Sequence, residues 1–222
     1  MNDSLPALIF DLDGTLTDSK PGILGCLREV LAARAIHDAG PLDRFVGPPV
    51  EEWAAELLPH GSPDDRLALA RDYRACYDRV GWSNNALFPG IAELLLRLER
   101  EGLPLYVCTS KQHHFAVRIL EHFGIARCFK AIYGDRADYP SHNKGDLLAR
   151  LLAEQAILPA RAWMVGDRTF DFDAARVNGV RSLAAGWGYG SPQEYAQADV
   201  LAAAPADLFA LVCAPAPGSI SR

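Results

Sequence analysis

The chain has no CxxC pair, no long apolar run, no excess of positive charge and no internal repeat. Each absence excludes something. The five cysteines, Cys26, Cys76, Cys108, Cys128 and Cys213, are scattered and odd in number. That argues against a disulfide framework or a paired-thiol metal site and fits reduced thiols in a cytoplasmic protein. No stretch reaches the roughly 18 consecutive apolar residues of a membrane span, so no membrane partner is expected. The first residues, Met1 to Pro6, are polar and lack a basic segment leading into an apolar run, so no signal peptide is expected. A net charge of −6 at pH 7 argues against a polyanionic partner such as nucleic acid. A small phosphorylated molecule stays compatible, because one metal ion or lysine reverses the local field.

What is present describes an ordinary soluble globular protein. Half of the 222 residues are hydrophobic and 23% are charged, enough for a core that needs no disulfide or structural metal. The length suits one large domain, or one domain carrying a smaller insertion. Three short apolar runs, Ala7 to Phe10, Leu105 to Cys108 and Ala162 to Val165, have strand length and no polar alternation. Such runs suit strands buried on both faces of a parallel sheet. Phe129 to Tyr133 and Arg181 to Ala185 are weaker strand candidates. Between them lie helical faces: Ile91, Leu94, Leu95 and Leu98; Leu147, Leu148, Leu151 and Leu152; and Val117, Leu120 and Phe123 ahead of a Gly124 stop. Strands alternating with helices predict an α/β fold, a mostly parallel sheet flanked by helices.

One interval is too long. From Phe10 to Leu105 the chain far exceeds the dozen or so residues that a parallel crossover needs. The excess has helical periodicity on three faces: Ile23, Leu27, Val30 and Leu31; Val50, Trp53, Ala54, Leu57 and Leu58; and Leu67, Ala70, Tyr73, Tyr77 and Val80. Residues 17–88 therefore read as an inserted all-helical cap, with 1–16 and 89–222 forming the core. The Pro- and Ser-containing tail from Ala214 is expected to fray.

In an open parallel sheet the functional crevice lies beyond the carboxyl ends of the strands. The first strand is followed by Asp11-Leu12-Asp13-Gly14-Thr15-Leu16, the next by Thr109-Ser110-Lys111, and the strand at 162–165 by Gly166-Asp167-Arg168-Thr169-Phe170-Asp171. Lys144 opens the preceding helix. That rim would gather Asp11, Asp13, Asp167 and Asp171. Four carboxylates this close raise one another's pKa unless a cation joins them, and an all-oxygen donor set suits Mg2+. With Thr109 and Lys144 as partners for an anion, the constellation describes phosphoryl transfer through an aspartyl-phosphate. The plain alternatives are acids capping a turn after the first strand, Asp167 and Asp171 as a helix cap and first-turn acid, and Thr109 as a helix cap.

DxDGTL at Asp11 to Leu16, Thr109 after a strand, Lys144, and GDxxxD at Gly166 to Asp171 resemble the four motifs of the haloacid dehalogenase superfamily, in the family's order. Phe45 to Pro49, Pro89-Gly90 and the segment Gly179 to Gly190 resemble its phosphoglycolate phosphatase and 5′-nucleotidase-like branch. The resemblance implies a Rossmannoid core with a cap between the first two motifs. It implies Asp11 as nucleophile and metal ligand, and Asp13 as acid/base with a metal-binding backbone carbonyl. It further implies Asp167 and Asp171 at Mg2+, Gly14, Thr109 and Ser110 at the phosphate, and Lys144 as charge stabiliser. Lys111 is the rival to Lys144, and Asp173 to Asp171. Phe45, Gly47, Pro48 and Lys111 are candidate specificity residues. His113 and His114 are adjacent on a helix and cannot share a metal on one face.

The expected activity is Mg2+-dependent hydrolysis of a small phosphate monoester by a monomer or homodimer. A β-phosphoglucomutase-type sugar phosphomutase keeps the same motifs and stays open. A receiver-like or non-catalytic phosphate-binding protein is a more distant alternative. Phosphonate cleavage would need a Schiff-base lysine in the cap, where only Lys20 stands, beside the hinge.

Overall fold

A computed structural model describes residues 5–48, 50–136 and 143–213. The expectations for the extreme N-terminus (Met1 to Ser4), for Pro49 and for the tail from Ala214 concern residues outside this set. The core is a six-stranded sheet of β1 (Ala7–Phe10), β4 (Leu105–Gln112), β5 (Ala131–Asp135), β6 (Ala162–Gly166), β7 (Arg181–Ala185) and β8 (Val200–Ala202), in the order β5-β4-β1-β6-β7-β8. All of its pairings are parallel. The chain builds outward from β1 to β4 and β5, then returns to add β6, β7 and β8 on the other side. The strand order therefore reverses at β1, and the crevice of an open sheet opens at that point.

The uninterrupted apolar runs are explained by helices on both faces. Leu8, Phe10, Leu105, Val107, Trp163 and Val165 point into one buried cluster, while Ala7, Ile9, Tyr106, Cys108, Ala162 and Met164 point into the other. Alternate residues serve opposite faces, and both faces are dry. The first cluster is closed by α4 (Ile91–Arg100), α5 (His113–His122) and α8 (Pro205–Cys213). The second is closed by α6 (Lys144–Glu154) and α7 (Thr169–Val177). In α4 and α6 the buried residues are those the spacing predicts.

In α5 the buried stripe is Phe115, Ala116, Ile119 and Leu120, so Leu120 is buried as expected while Val117 and Phe123 are only half-buried. Phe123, one residue past the helix, still packs against the first cluster. Gly124 has φ 68° and ends the helix as expected, with Ile125 N–H donating to the Leu120 carbonyl.

Between β1 and α4 stand α1 (Lys20–Ala33), α2 (Val50–Leu57) and α3 (Pro63–Cys76). The strands β2 (Thr17–Asp18) and β3 (Ala86–Leu87) pair antiparallel where the chain leaves and rejoins the core. The helices share a cluster that includes Ile23, Leu27, Val30, Leu31, Trp53, Leu69 and Tyr77. The expected third face is corrected. Ala70 and Tyr77 are buried as expected, but Leu67 and Val80 are 62% and 42% exposed, and Leu69 and Cys76 are buried in addition. The α-helix passes into a π-helical turn at Tyr77–Gly81, so a uniform 3.6-residue period drawn through both misplaces the stripe.

The strand after Phe129 begins at Ala131 and runs to Asp135, two residues later than expected. Among the described residues no helix is long and apolar enough to cross a membrane.

Candidate active site

Asp11 follows β1 at the switch point, and its N–H donates to the Val165 carbonyl on β6 (2.8 Å). Beyond it the chain folds tightly back: Leu16 and Thr17 N–H groups both donate to the Leu12 carbonyl (3.0 Å each). Gly14 adopts φ 86°, and a Cβ there would overlap the Asp167 carboxylate. A residue without a side chain is needed both for the left-handed backbone and for this close approach. Asp167 follows β6, fully buried, with its Oδ2 accepting from Tyr189 N–H (2.9 Å) and its Oδ1 from the Thr15 hydroxyl (3.3 Å). Asp171 lies in the first turn of α7 and accepts from Arg168 N–H (3.0 Å).

Carboxylate oxygens of Asp11, Asp167 and Asp171 lie within 4.8 Å of one another. The Lys144 ammonium is 2.6 Å from Asp11 Oδ1 and 2.5 Å from Asp171 Oδ1. Lys144 stands at the start of α6, a helix capped by the Asn143 side chain, which accepts from Asp146 N–H (2.9 Å). Of the rival residues, Asp173 pairs with Arg176 at the surface instead. Asp13 does not join the carboxylate cluster. Its Oδ2 pairs with Lys111 Nζ at 2.6 Å, so the two lysines serve different acids.

The register of β4 shifts between Cys108 and Gln112, which sets Thr109, Ser110 and Lys111 off the regular ladder. A cavity of about 30 Å3 brings together Asp11, Asp13, Thr109, Ser110, Lys111 and Lys144, with Gly47 of the α1–α2 connection above them. A second cavity of about 120 Å3 adjoins it and is lined on the cap side by Phe45, Gly47 and Pro48. His113 is half-buried and His114 exposed, on neighbouring faces.

Residues 8–185 match the family described as haloacid dehalogenase-like hydrolase. The chain belongs to that family. Mycobacterium tuberculosis tyrosine-protein kinase PtkA is 40% identical over 190 residues, which is 85% of this chain and 64% of that protein. The chain thus spans just under two thirds of that relative's length. A solved PtkA structure superimposes with a TM-score of 0.78 at 37% identity, covering 94% of this chain and 99% of that one. The Pseudomonas aeruginosa 5′-nucleotidase is 38% identical over 192 residues, 85% of this chain and 86% of its own. The Mesorhizobium japonicum phosphoglycolate phosphatase is 32% identical over 203 residues, covering 84% and 85%.

In this haloacid dehalogenase-like site the electrostatics are unbalanced. Burial, then the neighbouring Asp171 and Asp11, push the Asp167 carboxyl up to about 8. Burial raises Asp11 to about 6, with Lys144 opposing and Asp171 and Asp13 adding to the rise. Burial alone would lower the Lys144 ammonium, but Asp11 and Asp171 outweigh it and hold it above the usual lysine range. Lys111 is held up in the same way, chiefly by Asp13. One buried ammonium therefore faces three buried carboxylates. These all-oxygen donors fit a hard divalent cation, which would supply the missing positive charge.

Sequence reasoning missed three contributors. Tyr189 ties Asp167 to the β2–α1 junction, because its hydroxyl also donates to Asp18 Oδ1 (2.8 Å) and accepts from Lys20 N–H (3.2 Å). Arg168 joins Glu194 (2.8 Å) to the Val46 carbonyl (3.0 Å), linking core and cap. Thr15 holds Asp167 from below. The glycine-rich segment around 186–190 carried the available signal: a Cβ at Gly188 or Gly190 would collide with Asp167.

Proposed function

We propose that this chain is a Mg2+-dependent phosphatase that hydrolyses a small phosphate monoester, phosphoglycolate- or nucleotide-like, through an aspartyl-phosphate on Asp11. One observation carries this reading. Asp11 is a buried carboxylate 2.6 Å from a buried lysine, beside two further carboxylates and above the small cavity that holds Thr109 and Ser110. Bound by Asp11, Asp167, Asp171 and the Asp13 backbone carbonyl, Mg2+ would offset the charge of the phosphoryl group and polarise it.

The protein groups then divide the work. The Thr109 hydroxyl and the Ser110 backbone hold phosphoryl oxygens, and the open turn at Gly14 lets the backbone come close. Lys144 balances the charge that Asp11 and the phosphoryl group bring together. Asp11 attacks phosphorus while Asp13 gives a proton to the departing oxygen. Asp13 then takes a proton from the water that attacks the phosphorus of the Asp11 acyl phosphate, releasing inorganic phosphate and regenerating both carboxyls. Residues 17–88 act as the cap over this rim, excluding bulk water and selecting the leaving group. The protein works in the cytoplasm as a monomer or homodimer.

The test is release of p-nitrophenol from p-nitrophenyl phosphate. Release with Mg2+, its loss with EDTA and its return on re-adding the metal support the reading. Activity that survives exhaustive chelation removes the metal from it. Dependence of turnover on an added sugar bisphosphate would favour the phosphomutase. The kinship with a protein named as a tyrosine kinase favours a second reading, transfer of phosphate to a tyrosyl hydroxyl. Label appearing on a tyrosine peptide rather than in water would select it.

A further inference from the structure

The larger cavity lies next to the phosphoryl site and shares Asp13, Gly47, Ser110 and Lys111 with it. A phosphate ester seated over Asp11 therefore sends its leaving group past Asp13 into this space. The wall is a run of touching rings. Ring centroids are 6.0 Å apart for Phe45 and Trp53, 4.9 Å for Trp53 and Tyr73, 5.9 Å for Tyr73 and Tyr77, and 5.1 Å for Tyr77 and Phe115.

Among the described residues, the one buried cation that lines the cavity is already committed. Lys111 pairs with Asp13 and lies 4.7 Å over the Tyr77 ring, and Arg74 pairs with Glu51. Acids on the wall, Asp13, Glu51 and Asp135, outnumber these two bases. Two polar atoms lack partners: Asp13 Oδ1 and the Tyr77 hydroxyl are buried with no hydrogen bond among the described residues. Tyr77 as a whole is only 3% exposed, and a buried hydroxyl without a partner is costly unless something else supplies one.

We infer that this cavity selects a neutral, planar aromatic leaving group carrying a polar atom for Tyr77, as in a nucleoside or aryl monophosphate, and disfavours carboxylate-bearing leaving groups such as glycolate. The inference rests on the phosphatase reading of the adjoining site and narrows its two substrate options to one. A flat ring stacks on the aromatic wall. A carboxylate would meet Lys111, the buried cation of the wall, already held by Asp13, and acids in excess of bases.

Steady-state kcat/KM separates these outcomes. The substrates are a 5′-nucleoside monophosphate, 4-hydroxyphenyl phosphate, ribose 5-phosphate, glycerol 3-phosphate and 2-phosphoglycolate. The nucleotide is expected to exceed ribose 5-phosphate and 2-phosphoglycolate by about tenfold or more. Equal or greater efficiency with 2-phosphoglycolate overturns the inference. Preference for 4-hydroxyphenyl phosphate over the nucleotide assigns the ring to an aryl rather than a nucleoside source. Tyr77→Phe, which keeps the ring, is expected to reduce the nucleotide-to-ribose 5-phosphate ratio roughly fivefold, and an unchanged ratio overturns the role of the hydroxyl.

Calorimetric titration of Asp11→Asn with adenosine and with glycolate reads the cavity without turnover. Adenosine binding without glycolate binding supports the inference, and the reverse, or neither, overturns it. If no ester is hydrolysed, acetyl phosphate included, the phosphatase reading fails while the titration still decides the cavity.

Discussion

At the sheet edge Lys144 is 7% exposed and lies between two carboxylates, whereas in the cap Arg34, Arg44 and Arg74 meet acids that are about half exposed, Asp72, Glu56 and Glu51. The cap's charges are solvated and screened, so its helices are held by the apolar cluster beneath them, and each pair adds little. At the rim the charges are dehydrated, and removing one partner strands the others in a dry environment. The same residue types thus hold a surface in one region and create a reactive environment in the other.

Four measurements break or sharpen that contrast. The largest effect is expected at Asp11: Asp11→Asn should lower kcat by about 10^4-fold or more, since the residual rate comes from binding alone. Its circular dichroism and Tm should stay near those of the parent. Retained turnover would show that this carboxylate is not the nucleophile.

Next, Lys144→Met should cost about 3–5 kcal/mol in denaturant unfolding without added metal, as a broken buried pair. A loss below about 1 kcal/mol would mean that the rim is as well solvated as the cap.

Third, pH should act on the metal-free protein in one direction. Asp11 and Asp167 are raised from an ordinary value near 3.8 to about 6 and about 8. The folded state therefore binds more protons than the unfolded chain between these values. That stability is fully present below about pH 4 and is lost as pH rises, for Asp11 through about 6 and for Asp167 through about 8. The Tm in EDTA is expected to fall by roughly 10–20 °C between pH 5 and pH 8, and excess Mg2+ should abolish the fall. A Tm in EDTA that rises over this range would contradict the buried-carboxylate picture.

Smallest of all, Arg74→Met should change unfolding free energy by less than about 1 kcal/mol. A larger loss would place that pair among the buried ones.

Much of the core was legible because its signals are local. Ala7–Phe10 and Arg181–Ala185 are strands with the bounds that their apolar runs suggest. The Leu94, Leu95 and Leu98 face of α4 and the Leu147, Leu148, Leu151 and Leu152 face of α6 are buried as their spacing requires. Legibility failed where a local rule was interrupted. The π-helical turn at Tyr77–Gly81 takes Val80 off the period that carries Ala70 and Tyr77. The strands at Thr17–Asp18 and Ala86–Leu87 are two residues long, too short for a period to register, and exist because each supplies the other's hydrogen bonds. Tyr189, Arg168 and Thr15 carried no motif that assigned them to Asp167 or to the cap.

Chemical identity at the rim was written in the chain. Carboxylates, hydroxyls and a lysine directly after strands must meet at one sheet edge once those strands run parallel, because every such connection returns to the same end. What the chain could not state is which acid each lysine would neutralise. Lys111 and Lys144 were both eligible, and side-chain direction at an irregular strand end and at a capped helix start divided them between Asp13 and Asp11. Nor could it state that five aromatic rings from the cap and α5 would enclose a cavity beside Asp13. That arrangement depends on how separate helices pack, and packing is decided by the whole fold rather than by any local stretch.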